Sequence, residues 1–355
     1  MPLLRPLSAS EQAAAHLRAE MERGHWSGMM PGVNKLATEL GVNRKTVQAA
    51  LRQLEHEGLL VGRGQGRKRL IARKRLKAIR PLRVAILLYE PDDHLLEYIV
   101  ELRHALVEAG HSAIIATKSL TELKMELPRI GRLVRQTAAD AWVVMAGSRE
   151  VLEWFCTRPT PAFALFGHRE GLPLAAAGPD KVPAMVAVTR HLIGLGHRRV
   201  ILLARQDRRL PVPGRSERTF LDEMTAHGIP MGEYNLPDWN ETRDGFQDLL
   251  SSLFRITPPT TLIVAEAQLF IATMQFLAGR CIRVPQEVSL ICMDGNPNFS
   301  WCMPSVSHIR WESVPLIRRI VRWAANVSRG KRDVKQTSLP AEFVEGGMTG
   351  PAPAV

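Results

Sequence analysis

The feature that most constrains the fold is the stretch 36–60, LATELGVNRKTVQAALRQLEHEGLL. Its apolar residues recur at helical spacing on both sides of Gly41, and Asn43 is placed to cap the helix that follows. The stretch therefore predicts two short helices joined by a tight turn. The second helix has one apolar face, and its opposite face carries Arg44, Lys45, Gln48 and Arg52. A helix of this kind fits the DNA major groove, and the alternative is a plain amphipathic helix with a solvated basic face.

The distribution of charge favours the DNA-binding interpretation. The chain has 355 residues and a formal net charge of +12. Residues 1–80 hold 16 Lys and Arg against 6 Glu and no Asp, whereas the other 275 residues hold 31 basic and 29 acidic side chains. A basic N-terminal part on a nearly neutral remainder predicts a domain that binds a polyanion, followed by domains with another task.

The residues around the two helices complete a winged helix. Residues 10–24 predict a preceding helix, and two β-prone segments, 59–61 and 69–72, flank a glycine-rich basic tip. Helix, helix-turn-helix and β-hairpin wing together form a winged-helix domain. We expect the tip side chains, which are Arg63, Gln65 and Arg67, to reach a DNA groove or the flanking phosphates.

The stretch 24–66 resembles the winged-helix domain of the GntR family of bacterial transcription regulators. Residues at the family's turn positions are Gly24, Trp26, Gly28 and Pro31, and Met30 stands where leucine is usual. The segment 42–51, VNRKTVQAAL, fits the family pattern V-S-R-x-T-V-x-x-A-L, and the segment 54–58 fits L-x-x-E/D-G.

The resemblance implies specific DNA-binding residues. Arg44 and Thr46 would contact DNA from the start of the recognition helix, and Gly64 and Gly66 would form the wing. The sequence leaves open which of Arg44 and Thr46 reads a base edge and which contacts a phosphate. The complete predicted set is Lys35, Asn43, Arg44, Lys45, Thr46, Gln48, Arg52, Arg63, Gly64, Gln65, Gly66 and Arg67.

From residue 83 onward, short apolar runs alternate with amphipathic helical segments. The runs that predict strands are VAILLY, AIIAT, AWVVMAG, PAFALFG, RRVILLA, TTLIVA and VSLICMD. Such alternation predicts an α/β body with parallel sheets and helices on both faces, in which ligands bind beyond the carboxyl ends of the strands. The length fits two lobes with a cleft between them.

This body resembles the effector domain of LacI-type regulators, which is similar to periplasmic sugar-binding proteins. The segments that carry the resemblance, in the family's order, are HLIGLGHRRVILL, DWNETRDGF, VPQEVSLICMD, PSVSHIRW and LPAEFV. The resemblance implies that Trp239 stacks against a ligand ring and that Asp294 accepts hydrogen bonds from the ligand. The alternatives are an ordinary core role for Trp239 and a loop-capping role for Asp294.

The predicted pocket departs from the family pattern at three places. Glu266 and Ala267 stand where the family has Asn-Asp, and the family's arginine falls at Ser216, between Arg215 and Arg218. The loop YEPDDHLLEY, which follows the first strand, lacks the family's aromatic pair. The predicted effector-binding residues are Tyr89, Asp92, Arg215, Arg218, Trp239, Glu266 and Asp294. An aromatic face with a carboxylate suits a sugar, but a different ligand stays open, as does a body that has lost its ligand and serves dimerisation or partner contact.

Other classes of protein are disfavoured. The N-terminus lacks the apolar core of a signal peptide, no apolar run approaches a membrane span, and the four cysteines show no metal-ligand spacing, so we expect a cytoplasmic protein without a metal. The catalytic motifs G-x-S-x-G, Walker A and HExxH are absent. Some winged-helix regulators of this type carry an aminotransferase-like body that binds pyridoxal phosphate, but no lysine site is convincing. We therefore expect neither an enzyme nor a cofactor.

The expected organisation is a winged-helix domain at 1–72, a basic linker at 73–82, a two-lobed effector-binding and dimerisation domain at 83–346 and a flexible tail at 347–355. The linker either is solvated or also contacts phosphates. The sequence predicts a homodimeric bacterial transcription regulator, a repressor whose two heads bind a two-fold symmetric DNA operator and whose body binds a small molecule.

Overall fold

The structure is a computed structural model that describes residues 8–22, 25–26, 28–62, 68–71, 80–210 and 212–353. The chain forms two compact units. Unit 1 comprises Met1–Ala164, Arg169–Ala175 and Ile317–Lys335, and unit 2 comprises Leu165–His168, Ala176–Leu316 and Gln336–Val355.

The described residues 8–71 of unit 1, called the head below, form three helices and a short hairpin. The elements are α1 (Ala9–Glu22), α2 (Val33–Leu40), α3 (Arg44–His56), β1 (Leu60–Val61) and β2 (Leu70–Ile71). Their apolar faces share one core, in which Leu17, Leu36 and Leu51 are fully buried. The strands β1 and β2 are antiparallel, and Met29 adds a bridge to Leu70. This is the predicted winged helix, although the wing-tip residues 63–67 lie outside the described residues.

Two ion pairs fasten the head around α3. Arg18 of α1 contacts the carboxylate of Glu57 at 2.7 Å, and its hydrogen bonds hold the pKa of that carboxyl below the usual value. Arg69, beside β2, contacts Glu55 of α3 at 2.7 Å. These pairs connect α3 to α1 on one side and to the wing on the other, so the orientation of α3 is set by side chains as well as by the apolar core.

The body part of unit 1 is a parallel sheet covered by helices. The strands are β3 (Arg83–Leu87), β4 (Ser112–Ile115), β5 (Ala141–Met145) and β6 (Ala162–Leu165), in the spatial order β4-β3-β5-β6. The strand β3 pairs in parallel with both β4 and β5. The helices are α4 (Glu97–Glu108), α5 (Leu127–Gln136), α6 (Arg149–Cys156) and the larger part of α12 (Ser313–Ser328).

Unit 2 contains a six-stranded sheet in the order β7-β12-β11-β10-β9-β8. Its strands are β7 (Ala175–Asp180), β8 (Val200–Leu203), β9 (Thr261–Val264), β10 (Ser289–Cys292), β11 (Ser307–Trp311) and β12 (Gln336–Val344). Its helices are α7 (Val182–Gly194), α8 (Gln206–Arg209), α9 (Arg215–Ala226), α10 (Arg243–Ile256) and α11 (Ala267–Gly279). They cover two buried clusters of apolar side chains that share the strands β8, β9 and β10.

The long strand β12 reverses the direction of pairing within unit 2. Its first half pairs in parallel with β7, up to Pro340 opposite Asp180. Its second half pairs antiparallel with β11, starting with Ala341 opposite Trp311. The carboxyl ends of β7 and β11 therefore meet at the middle of β12. The predicted α/β fold with mostly parallel strands is confirmed, and the pairing of β11 with β12 is antiparallel because β12 continues past the end of β7 and there meets β11 from the opposite direction.

The C-terminal segment departs from the predicted flexible tail. Met348 is buried, its carbonyl accepts a hydrogen bond from the Leu290 N–H, and the Ala352 N–H donates to the carbonyl of Leu195. The carbonyl of Gly350 lies 2.9 Å from His197 Nε2. Residues 346–352 are thus packed, because an apolar side chain and several backbone groups find buried partners in unit 2, and the predicted flexibility is wrong for this segment.

Among the described residues, no helix combines the length and apolar character that crossing a membrane requires.

Candidate DNA-binding face and effector site

The start of α3 is held by the side chain of Asn43. Its Oδ1 accepts hydrogen bonds from the Thr46 backbone N–H at 2.8 Å and from the Thr46 hydroxyl at 3.0 Å. Asn43 is thus the helix cap that the sequence predicts. Because the hydroxyl hydrogen of Thr46 is already donated to Asn43, Thr46 can donate it to a phosphate only by giving up this one hydrogen bond. In this geometry Arg44 is the freer of the two predicted contact residues.

One face of α3 is exposed and basic. Val47, Ala50 and Leu51 are fully buried in the head, whereas the side chains exposed on the other face are Arg44, Lys45, Gln48 and Arg52. Arg44, Gln48 and Arg52 are spaced four residues apart and share one line along the helix. Lys35, on α2, is also exposed and lies 3.8 Å from Glu39. The predicted wing residues Arg63, Gly64, Gln65, Gly66 and Arg67 lie outside the described residues.

In unit 2, Asp294 lies just beyond the carboxyl end of β10 and is the centre of a polar and aromatic cluster. Its Oδ1 is 3.1 Å from the ammonium of Lys181 and accepts a hydrogen bond from the indole N–H of Trp311 at 3.2 Å. Lys181 follows β7 and Trp311 ends β11, so the meeting of those two strand ends at β12 brings the three side chains together. The carboxylate stays partly exposed, with 39% of the side-chain surface accessible.

Phe166 adds a second aromatic ring to this cluster. It follows the carboxyl end of β6, and its ring meets Trp311 edge to face at 5.6 Å. Its φ of +64° is an uncommon conformation for a bulky side chain, and residues held in such conformations concentrate at functional sites. Sequence reasoning missed Lys181, Trp311 and Phe166. The only available signal was the position of Trp311 at the end of a segment that resembles the LacI type.

The other predicted residues of unit 2 are also engaged in contacts. Glu266 follows β9, and its carboxylate lies 2.8 Å from the guanidinium of Arg205, which follows the neighbouring strand β8. Arg215 lies 4.0 Å from the carboxylate of Asp180, and Arg218 donates to the carbonyl of Pro213. The carboxyl ends of β8, β9 and β10 therefore carry charged side chains, several of which are already paired within the chain.

Trp239 is half-buried against the apolar core beneath the sheet. Its indole N–H donates to the carbonyl of Ala204 at 2.9 Å, and its ring lies 5.0 Å from that of Phe246. These contacts are those of a packing residue. Stacking of Trp239 against a ligand stays a prediction.

Tyr89 and Asp92 lie in unit 1, after the carboxyl end of β3. The carbonyl of Tyr89 accepts hydrogen bonds from the backbone N–H and the hydroxyl of Thr121. Asp92 is exposed in the short 3-10 helix Pro91–Leu95. Their role in effector binding stays a prediction.

The described cysteines and acidic groups do not form a metal site. No cluster of three or more His, Cys, Asp or Glu with a metal-binding arrangement occurs in the described part of the chain. Burial raises the pKa of the Cys292 thiol to about 12, so this side chain remains protonated and packs as an apolar residue of β10.

Comparison with known families identifies both parts of the chain. Residues 9–69 match the model of bacterial regulatory proteins of the gntR family, and residues 189–349 match the model of the periplasmic binding protein-like domain. The chain therefore combines an N-terminal part that matches the gntR-type model with a body that matches the periplasmic binding protein-like model. The two predicted resemblances and the predicted fold class are confirmed.

Individual relatives are distant. The chain is 22% identical over 227 residues to the HTH-type transcriptional regulator DegA of Bacillus subtilis (strain 168). This alignment covers 62% of this chain and 66% of DegA. The chain is 25% identical over 186 residues to the lactose operon repressor of Escherichia coli (strain K12). This alignment covers 51% of this chain and 46% of the repressor. The chain thus spans just under two thirds of the length of DegA and about half the length of the lactose operon repressor.

A similar solved structure is that of a LacI family transcriptional regulator from Enterococcus faecium with bound ribose. It has a TM-score of 0.62 and 15% sequence identity, and the match covers 76% of this chain and 99% of that chain. At this identity the likeness is one of fold.

Proposed function

We propose that this protein is a homodimeric transcription repressor that binds a two-fold symmetric DNA operator, with one α3 in the major groove of each half-site. The observation that carries the proposal is the exposed basic face of a capped α3 within the GntR-type head. Arg44 is the residue we expect to contribute most, because it is exposed at the start of the helix and its planar guanidinium is suited to a guanine edge.

We further propose that the cluster around Asp294 binds a small polyhydroxylated effector such as a sugar. Asp294 offers a partly exposed carboxylate, Lys181 offers an ammonium, and Trp311 offers an aromatic ring within one cluster. A sugar presents hydroxyls to such polar groups and an apolar C–H face to such a ring. The structural relative with bound ribose supports this class of ligand.

A thermal-shift screen of the purified protein against monosaccharides, disaccharides and sugar acids tests the effector proposal. A ligand of the folded state raises the melting temperature with its concentration. We expect one compound to do so in the wild type, and the shift to be lost in Asp294→Asn and in Trp311→Phe. The matched control Glu153→Gln, which removes an exposed carboxylate of unit 1 paired with Arg149, should keep it. An unchanged shift in Asp294→Asn would refute the site.

A second candidate is a body without an effector, used for dimerisation or partner contact. The observation that favours it is that Asp294 and Glu266 are already paired with Lys181 and Arg205. A screen without any hit, combined with DNA binding by the wild type, would favour this candidate.

A further inference from the structure

The charge of the body is concentrated in one short segment. Residues 81–355 hold 31 basic and 29 acidic side chains, and the segment 317–335 alone contains seven of the basic and one of the acidic residues. This segment therefore has a net charge of +6, while the rest of the body has a net charge of −4. Like charges repel one another, so such a segment in an otherwise acidic body points to an anionic partner.

Most basic side chains of this segment are exposed on one surface of unit 1. Arg319 and Trp323 of α12 face inward, where Trp323 packs on the ring of Phe163 at 5.4 Å. Arg318 and Arg322 are exposed four residues apart on the same side of the helix. The basic patch, as it is called below, comprises six cations, of which Arg329 is half-buried and the other five are exposed: Arg318, Arg322, Arg329, Lys331, Arg332 and Lys335. No described residue forms an ion pair with any of these six side chains.

The single acidic residue of the segment is turned inward. Asp333 accepts hydrogen bonds from both terminal nitrogens of Arg319, at 3.0 and 2.7 Å, and from the side-chain amide of Asn326 at 2.9 Å. The Lys331 backbone N–H donates to the Asn326 carbonyl, and Gly330, with φ +69°, turns the chain there. The loop that carries Lys331, Arg332 and Lys335 is thus held in place, and its only carboxylate is unavailable to neutralise the patch.

We propose that the basic patch is a second DNA-binding surface, which contacts the phosphate backbone outside the bases read by α3. From Arg318 to Ser328, where α12 ends, the helix extends about 15 Å at about 1.5 Å per residue, and the patch continues into the following loop, so the patch is long enough to lie along several phosphates. Guanidinium groups suit phosphates because they donate paired hydrogen bonds. The patch belongs to the same compact unit as the head. The inference rests on the proposed DNA-binding function and adds a contact surface to it.

The test uses the full chain with two charge-matched variants. The patch variant is R318Q/R322Q/K331Q/R332Q, and the control is R103Q/R132Q/R243Q/R255Q, which removes four exposed arginines elsewhere. Both lower the formal net charge from +12 to +8. Affinity for a fluorescent duplex of about 40 base pairs, without a selected sequence, is measured over a series of salt concentrations, because the slope of log K against log salt counts phosphate contacts.

In the patch variant, we expect the slope of log K against log salt to become shallower by about 2–4. Its affinity at low salt should fall at least about tenfold. Both changes should be clearly smaller in the control variant. Thermal unfolding checks that the variants fold, and the double variant R322Q/K331Q should show about half the change in slope. A patch variant that behaves like the control overturns the proposal. If it binds DNA like the control but no longer sediments with phosphatidylglycerol vesicles, the patch is a membrane-surface site and the DNA proposal is likewise overturned.

The variant Arg44→Ala, measured in parallel with the patch variant on a duplex that the wild-type protein has selected from a random pool, separates this inference from the proposed function, because a contact to a base edge is lost only on a specific sequence. Loss of affinity in both the Arg44 and the patch variant supports both surfaces. Loss in the patch variant alone supports the patch and contradicts the assignment of α3.

Discussion

A single oxygen atom of Asn43 organises the start of the helix that we assign to DNA. It accepts from both the backbone and the hydroxyl of Thr46, which leaves Arg44 exposed beside it. The GntR family usually has Ser at this position, and Asn is an equally good cap. The departure from the family pattern at Asn43 therefore preserves the local structure.

We predict that Asn43→Ala frays the first turn of α3. Loss of the cap costs about 1 kcal/mol, so the amides of Thr46 and Val47, which are hydrogen-bonded to Asn43, should exchange with deuterium about fivefold faster when they exchange by local opening. Mass spectrometry of peptides from this region measures the rate. Asn43→Ser is the matched control and should exchange at nearly the wild-type rate. Equal rates in the Ala variant and the wild type would show that the cap contributes nothing.

The ion pair of Arg319 and Asp333 is a second place where single side chains determine the local structure. Their side chains are only 8% and 10% exposed. Burial alone would raise the pKa of Asp333, but hydrogen bonds from Arg319 and Asn326 outweigh it and hold the pKa below its usual value. Asp333→Asn leaves the buried guanidinium without its counter-charge and should cost about 3–5 kcal/mol of unfolding free energy.

Urea denaturation followed by tryptophan fluorescence measures this loss, because Trp323 packs on Phe163, and the guanidinium of Arg319 lies over the same ring. The control Glu153→Gln breaks an exposed pair with Arg149 and should leave the free energy of unfolding unchanged within error. An Asp333→Asn protein as stable as the wild type would mean that the pair is not needed to hold the loop of the basic patch.

The residues of the candidate effector site show what local sequence can and cannot predict. Asp294 was predicted, because it ends a recognisable apolar strand within a segment resembling the LacI type. Its partners Lys181 and Trp311 were not, because they are 113 and 17 residues away in the chain and come together only through the pairing of β7 and β11 with β12. Trp239 has the right residue type for a ligand wall, but half-burial against Phe246 is a tertiary property that its neighbours in sequence do not encode.

At the scale of elements, the predicted helix-turn-helix and the strands from β3 to β6 and from β8 to β10 are confirmed. Among the elements without a sequence expectation are β7 and α12. The strand β7 reads AAAGPD, which has low β-propensity, and is formed because β12 pairs with it. The helix α12 has Pro315 in its first turn, where proline is tolerated, and carries Arg318 and Arg322 on its exposed surface. The antiparallel pairing of β11 with β12 depends on a long-range crossing, which strand patterns do not reveal.

The C-terminal segment is the element whose packing differs most from expectation, and it contacts a buried histidine. His197 Nε2 lies 2.9 Å from the Gly350 carbonyl, and its Nδ1 lies 3.0 Å from the Thr260 hydroxyl. Burial lowers the pKa of His197 below its ordinary value, despite the opposing hydrogen bond to Gly350. The neutral ring is therefore the form that fits the folded protein.

The lowered pKa of His197 predicts a loss of stability in acid. Its contribution is fully present above the unfolded-state pKa of about 6.5 and is lost as the pH falls from there through the lower folded-state pKa. We expect the urea midpoint to fall between about pH 7.5 and pH 5, and His197→Asn to make that fall smaller. His104→Asn, at an exposed position of α4, is the control and should keep the wild-type pH dependence. An equal fall in His197→Asn would exclude His197 as a cause.

At the scale of the whole molecule, the basic regions and the candidate effector site lie in different units. Residues 1–80 and the segment 317–335 are strongly basic, and the remainder of the chain is acidic. Both basic regions belong to unit 1, whereas the cluster around Asp294 belongs to unit 2. In the proposed mechanism, an effector bound in the body changes operator affinity only if it binds the DNA-bound and the free conformation with different free energies.

The central claim is that α3 reads a symmetric operator, and selection of duplexes from a random pool by the full-length protein tests it most directly. We expect the enriched sequences to share a two-fold symmetric motif, with half-sites spaced by whole helical turns. Arg44→Ala should bind the selected duplex at least about tenfold more weakly at moderate salt, since a bidentate base contact contributes about 1–3 kcal/mol. A pool without a shared or symmetric motif, or an Arg44→Ala protein with wild-type affinity for it, would contradict the account.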